Sequence, residues 1–286
     1  MLLAVIAFGV FFAMFLVSIL IVSKVGISPE IIKDLQQNLF DYPDIIRGAQ
    51  FLQTLGIFLL PAIICAWLFS DNYKEYLHID NPIQASTAVW AMISIIIAMP
   101  FLNLTYSLNQ QIALPEAFKG IETWMKESEE AATKVTDLIL NTKNISTIIF
   151  NILIVCVVAG ISEEFMFRGL LQSLFGRVFK NPHVLIWLIA ILFSAIHLQF
   201  YGFITRMLLG AWLGYLMYYT KTIWIPVLAH FTNNFFGVGM YYIFQNTPDE
   251  VKKIDALGTG STLWLSVVSL VLFYFCFRQI KKTVVQ

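Results

Sequence analysis

Ionisable side chains interrupt one of the most apolar stretches of the chain. Glu163 and Glu164 are followed by Arg168 in segment 146–175, which is otherwise nearly all apolar and long enough to cross a bilayer. An ionised side chain at the centre of a spanning helix costs about 2.5–3.5 kcal/mol on insertion scales, so such groups face a bundle interior or a wet cavity. This placement predicts a buried functional site.

Helical geometry gives the two glutamates different roles. Each residue of an α-helix turns the side-chain direction by about 100°, so Glu164 and Arg168, four residues apart, share a face while Glu163 points elsewhere. Glu164 before Arg168 is the favoured order for an ion pair, in which each charge neutralises the other. All three could form only a buried network that fixes helix packing. The unpaired Glu163 carboxylate favours a functional site.

Two later apolar segments carry polar side chains at a matching depth. At 1.5 Å per residue, Glu163 and His197 lie about 18 and 20 Å from the neighbouring ends of their spans. His230 and Asn234 lie about 10 and 16 Å into theirs. If the spans alternate in direction, all four side chains converge in one cavity. His78 and His183 fall in polar connections and are expected to be surface residues.

A carboxylate, two imidazoles and an amide are suited to hydrolysis with water as the nucleophile. Nearby serines lack the spacing of a nucleophile motif, and the H-E-x-x-H motif of soluble zinc peptidases is absent. Glu163 can act as a general base for water. His197 and His230 can hold a divalent metal, or they can orient the water and stabilise an oxyanion, with Asn234 donating a further hydrogen bond. The residues therefore predict hydrolysis and leave the metal open.

The elements that must position these residues are membrane helices. Hydrophobic residues make up 58% of the 286 and charged residues 13%, which indicates an all-α polytopic membrane bundle. The formal net charge is zero, so the composition gives no sign of the basic surface that nucleic-acid binding requires. A window of about 20 residues gives about eight candidate spans, namely 2–22, 50–69, 87–106, 146–170, 184–200, 203–219, 223–244 and 262–279.

The chain is interpreted as one membrane domain, 1–286, with its polar motifs in 146–244. The connection 107–145 contains an amphipathic helical pattern and is expected to rest outside the membrane, on the lipid surface or on the bundle. A gate over the site is the alternative. An even number of spans places both termini on one side, and Arg278, Lys281 and Lys282 favour the cytoplasm for that side.

The polar motifs together resemble a known family. Glu163-Glu164-Phe165-Met166-Phe167-Arg168 is similar to the E-E-x-x-x-R motif of the CPBP intramembrane proteases, which include CAAX proteases and bacteriocin-processing enzymes. Phe193 to His197 resembles their F-x-x-x-H motif, and His230 to Asn234 resembles their H-x-x-x-N motif. One such motif would be weak, but three in the family's order on consecutive membrane segments are specific.

This resemblance implies an intramembrane endopeptidase that cleaves a membrane-associated peptide or protein. Glu163 would activate water, His197 and His230 would bind metal or orient that water, and Asn234 would donate to the oxyanion. The supporting residues would be Glu164, Arg168 and Phe193. If the enzyme is a metalloprotease, Glu163, His197 and His230 are the candidate ligands, with zinc as the first choice; a glutamic mechanism needs no cofactor.

The resemblance leaves the substrate and the retention of activity open. A non-catalytic membrane adaptor or a bacteriocin-immunity protein on the same fold is the alternative function. The partners expected in either case are the lipid bilayer and a membrane-associated protein, without nucleic acid. The expected location is the bacterial plasma membrane, with several passes and both termini in the cytoplasm.

Overall fold

The computed structural model describes residues 1–284, and every regular element within them is a helix. The predicted all-α membrane bundle is therefore confirmed. The main helices are, in chain order, α1 (Leu2–Val25), α2 (Pro29–Asn38), α3 (Pro43–Phe69), α4 (Ala85–Gln110), α5 (Lys119–Leu140), α6 (Ile145–Phe175), α7 (Pro182–Ala195), α8 (Phe203–Thr220), α9 (Trp224–Phe244), α10 (Pro248–Asp255) and α11 (Leu263–Val284).

Helices stand at all eight predicted positions, but they are not eight equal spans. Five of them, α1, α3, α4, α6 and α11, are long and apolar enough to cross a bilayer. Helices α8 and α9 carry Arg206, His230 and Asn234, which lower their hydropathy. Helix α7 corrects the predicted span 184–200, since it ends at Ala195 and Leu198 takes a left-handed backbone with φ 53°. His197 therefore lies in the turn that follows the short helix α7.

The order of the helices gives the bundle two distinct ends. Because α1, α3, α4, α6, α7, α8, α9 and α11 run alternately up and down, the first and last described residues lie at the same end, together with connections 70–84, 176–181 and 221–223. We call this the terminal end. The connections 111–144, 196–202 and 245–262 lie at the opposite end.

Small residues bring α1 and α3 into close contact. A Cβ built on Gly9 would overlap the carbonyl oxygen of Gly56, and a Cβ built on Gly56 would lie 2.5 Å from the Cβ of Ala13. Backbones that approach this closely gain van der Waals contact, which is the main attraction between helices in lipid. This contact fixes α1 against the rest of the bundle.

Helix α6 is long but irregular. Its first turn is capped by Asn144, whose side chain accepts hydrogen bonds from the backbone N–H groups of Ser146 and Thr147. Two stretches, Leu153–Val158 and Phe165–Leu171, are π-helical. Such wider turns occur often at functional sites, and the two glutamates directly precede the second stretch.

A glycine allows α7 and α8 to pack tightly beside α6. A Cβ at Gly210 would lie 3.0 Å from Cδ1 of Phe193 and 3.3 Å from Cα of Ala190. Because no side chain intervenes, the Phe193 ring and the Gly210 carbonyl both reach the interior face of α6. Both of them contact the guanidinium of Arg168.

Helix α5 lies in the connection for which an amphipathic helix was predicted. Buried Arg47 of α3 donates from Nε to the carbonyl of Ile139, 3.1 Å away, and from Nη2 to that of Leu138, 3.2 Å away. The other half of α5 covers connection 196–202, where the rings of Trp124 and Phe200 have their centroids 5.0 Å apart. Helix α5 thus bridges α3 and the turn that follows His197.

Candidate active site

Arg168 joins Glu164 in the ion pair expected from their spacing. Its Nη1 donates to Oε1 of Glu164 at 2.8 Å, and both side chains are fully buried. Its Nη2 donates to the carbonyl of Gly210 at 2.7 Å, and its guanidinium lies 4.7 Å from the centroid of the Phe193 ring. The arginine therefore connects α6, α7 and α8 inside the bundle.

Glu164 has a second partner, which the sequence did not predict. Nδ1 of His230 lies 2.8 Å from the same Oε1 of Glu164. A carboxylate oxygen accepts, so His230 donates from Nδ1 and turns Nε2 the other way, toward the cavity. Glu164 thus fixes the orientation of the imidazole as well as the position of Arg168.

His197 is oriented by the backbone of its own turn. Its Nδ1 lies 2.8 Å from the carbonyl oxygen of Phe193, so this nitrogen carries the proton and donates. The ring of Phe193 packs edge-on against both imidazoles, with centroid distances of 5.1 Å to His197 and 5.8 Å to His230. Phe193 therefore contacts both histidines and the arginine.

The two free imidazole nitrogens face Glu163. Nε2 of His197 and Nε2 of His230 each lie 3.9 Å from Oε2 of Glu163, and this oxygen is buried without a protein partner. In neutral rings whose Nδ1 carries the proton, both Nε2 atoms are acceptors, as is the carboxylate oxygen. Three acceptors that converge without a donor call for a water, which has two protons to donate, or for a cation.

The same three side chains have the donor atoms that a divalent metal such as zinc binds. With bonds of about 2.1 Å, two tetrahedral ligands of zinc stand about 3.4 Å apart, slightly closer than the 3.9 Å found here. Among residues 1–284, no set of three His, Cys, Asp or Glu side chains is already gathered at ligand spacing. The donor chemistry nevertheless fits, because each imidazole has its second nitrogen bound to an oxygen, as metal-binding histidines do.

Asn234 lies one helical turn beyond His230 on α9. Its Nδ2 donates to the carbonyl of Val155 at 2.9 Å, and its Oδ1 accepts from Nδ2 of Asn233 at 3.1 Å. No hydrogen bond joins it directly to Glu163 or to either histidine in the described structure. One N–H of its amide is fixed on α6, and the second remains for another acceptor.

Arg206 is a neighbour of the site that the sequence analysis overlooked. This half-buried residue of α8 donates to the backbone carbonyl of Gln199 at 3.3 Å and to its side-chain Oε1 at 2.8 Å, which steadies the turn after His197. The backbone N–H of Tyr201 in the same turn donates to Glu129 of α5 at 3.3 Å. The sequence did contain a signal for Arg206, because a charged side chain inside a predicted span, here 203–219, indicates a functional site, as it did for Arg168.

The two remaining histidines are far from this cavity. His183 is exposed, as expected, with Nδ1 2.9 Å from the hydroxyl of Tyr215. His78 differs from the expectation, because it is half-buried with a left-handed backbone of φ 56° and its carbonyl accepts from the N–H of Ile223 at 3.1 Å. The connection that contains His78 folds back over the bundle, which a hydropathy pattern does not reveal.

Comparison with known proteins gives one match. Residues 145–236 match a family model described as "Type II CAAX prenyl endopeptidase Rce1-like". The matched region includes Glu163, His197, His230 and Asn234. No curated protein and no solved structure has a significant match to the chain.

Proposed function

We propose that this membrane protein hydrolyses peptide bonds with a water activated by Glu163, and the match of residues 145–236 to the model of the Rce1-like type II CAAX prenyl endopeptidases supports this proposal. The observation that carries this proposal is the buried, unpartnered Oε2 of Glu163 opposite the Nε2 atoms of His197 and His230. A carboxylate and two oriented imidazoles around one small space suit a single bound water.

The proposed chemistry begins with proton transfer from that water to Glu163. The water oxygen bonds to the carbonyl carbon of the scissile peptide, and the carbonyl oxygen becomes an oxyanion. Nε2 of His230 can donate to this oxyanion only when the ring is protonated, since Nδ1 already donates to Glu164. The free N–H of Asn234 is the second candidate donor. Glu163 then gives its proton to the leaving amine as the C–N bond breaks.

Glu164 and Arg168 take no direct part in this reaction. The carboxylate of Glu164 lies beside Nδ1 of His230 and favours the imidazolium form that the oxyanion needs. Arg168 holds that carboxylate in place. They are positioning residues, and their contribution is expected to pass through His230.

A substrate test follows from the family description. We propose a membrane-associated substrate, and the first candidate is a prenylated peptide that ends in a C-a-a-X sequence. The purified protein in liposomes would be incubated with this peptide and with its unprenylated twin, and the products would be identified by mass spectrometry. Cleavage that depends on Glu163 supports the proposal. A protein that binds the peptide and never cleaves any member of a broader panel would instead be an adaptor.

Asn234 provides a direct test of the proposed oxyanion donor. We expect Asn234→Ala to lower kcat by about 100-fold, the lower end of the effect of removing one oxyanion donor. Asn233→Ala, which removes only the hydrogen bond to Oδ1 of Asn234, is the matched control and should lose much less. Equal losses in the two variants would show that Asn234 acts through helix packing.

The metal proposal has its own measurement. As the alternative to the metal-free mechanism above, we propose a divalent ion held by Glu163, His197 and His230, with zinc the first choice; His230 would then be a neutral ligand, and the ion would polarise the scissile carbonyl as a Lewis acid. His197→Ala and His230→Ala should then each lose both bound metal and activity, and chelation should inhibit reversibly. Elemental analysis beside turnover decides the point. Full turnover by metal-free, chelator-treated protein would leave the glutamic mechanism.

A further inference from the structure

A second polar cavity lies at the terminal end of the bundle, where α6, α7 and α8 meet the connection that contains His78. Its volume is about 200 Å³, and its wall includes Arg168, Gln172, Ser173, His78 and Lys221. No aspartate or glutamate lines it among the described residues. The charged groups of its wall are therefore all basic, while Leu185 and Met217 add apolar surface.

The inner wall contains two polar atoms that the protein leaves unpaired. Arg168 is fully buried, and its Nε has no hydrogen-bond partner although both of its terminal nitrogens do. Oε1 of Gln172, one turn further along α6, is also buried without a partner. Unpaired buried polar groups are costly, and both residues line the cavity, which favours a polar occupant that reaches these atoms. The volume exceeds that of a single water, whose share of the liquid is about 30 Å³.

The outer wall is basic and well fixed. Lys221 caps α8 with a left-handed backbone, φ 58°, and its Nζ lies 4.5 Å from the ring centroid of Tyr218. Thr222 donates from Oγ1 to the carbonyl of Asn81 at 3.0 Å, and Trp224 donates from Nε1 to that of Ile79 at 2.9 Å. These bonds fasten the connection that contains His78 to the connection that contains Lys221.

Groups of both signs stand near the mouth, with Arg177 and Lys221 basic and Glu75 and Asp80 acidic. Exposed Arg177, in the neighbouring connection, lies 5.6 Å from the ring centroid of Tyr76. Burial lowers the pKa of His78, with Lys221 adding to the effect and Asp80 and Glu75 opposing it, so His78 acts as a neutral hydrogen-bonding group. The charged groups that line the pocket itself are Lys221 and Arg168, which also pairs with Glu164, and with the neutral donors they suit an anionic oxygen cluster at the end of a membrane bundle.

We propose that this cavity binds a phosphate group, which belongs either to the headgroup of an anionic lipid or to free phosphate. Nε of Arg168 and Nζ of Lys221 are the charged donors. The amide of Gln172 contributes either its oxygen, to a protonated phosphate oxygen, or its NH₂ after rotation. Since Arg168 also holds Glu164, occupancy links this cavity to the positioning of His230. The proposal does not depend on the protein being a protease.

Thermal unfolding of the full-length protein in phosphatidylcholine nanodiscs tests the proposal without an activity assay. In one arm, inorganic phosphate is titrated against chloride at matched ionic strength. In the other, the nanodiscs contain phosphatidic acid. A bound ligand raises the melting temperature as its concentration exceeds Kd. A shift in both arms identifies free phosphate as a sufficient ligand, while a shift with phosphatidic acid alone identifies the lipid headgroup; either supports the proposal.

Variants locate the binding. Lys221→Gln and Gln172→Leu should each weaken the apparent affinity about tenfold, the expected loss for one strong hydrogen bond. Lys180→Gln is the control, because Lys180 is exposed at the same end but does not line the cavity. The proposal is overturned if the wild-type protein shows no shift in either arm, or if Lys221→Gln and Gln172→Leu respond as fully as the Lys180→Gln control.

Discussion

Glu163→Gln is expected to reduce peptide-bond hydrolysis by about 100- to 10,000-fold, the usual contribution of a general base, while the protein remains folded. The amide keeps the shape of the side chain but cannot accept a proton from water. The substitution also removes the negative charge of the Glu163 carboxylate, whose buried Oε2 has no partner within the protein. The melting temperature should therefore hold or rise. Initial rates and thermal unfolding, measured on the same preparation, would separate the two effects.

Glu127→Gln is the matched control for this change. Glu127 is exposed on α5, so the same substitution there should alter neither rate nor melting temperature. Glu163→Ala should lose activity as fully as Glu163→Gln. Undiminished activity of either Glu163 variant toward a validated substrate would eliminate the general-base role and, with it, the proposed mechanism.

The fold could be predicted from the sequence because a bilayer leaves few alternatives. Backbone groups in hydrocarbon must be paired within the segment, so apolar runs of about 20 residues become helices. The prediction was wrong where a helix ends for a local reason. Segment 184–200 is mostly apolar, yet α7 ends at Ala195 and His197 lies in a turn held by Arg206 and Gln199. Hydropathy does not contain that information.

The site could be predicted only in part, because its residues come from different helices. Spacing along one helix was enough to pair Glu164 with Arg168. It could not show that His230 binds the same carboxylate oxygen, since that contact depends on how α9 packs against α6. Nor could it show that the amide of Asn234 reaches Val155 rather than Glu163. Such contacts are set by the packing of separate segments.

The shared oxygen of Glu164 changes what its ion pair is expected to do. An isolated buried pair would serve packing alone. Here one carboxylate oxygen accepts from Nη1 of Arg168 and from Nδ1 of His230, each at 2.8 Å. Removing the arginine should therefore affect both the stability of the bundle and the orientation of one imidazole. A second substitution, at Glu164, separates these two effects.

Arg168→Met is expected to lower the free energy of unfolding by about 3–5 kcal/mol, because it leaves the Glu164 carboxylate buried with only His230 as a partner. Adding Glu164→Gln removes the stranded charge and keeps an oxygen for Nδ1 of His230, so the double variant should recover most of that stability. Its activity should stay low, since a neutral amide no longer favours the imidazolium of His230. Thermal or denaturant unfolding of the two single variants and the double variant gives the coupling energy. If Arg168→Met unfolds like the wild-type protein and loses only catalysis, Arg168 acts on the substrate and not on the packing of α6.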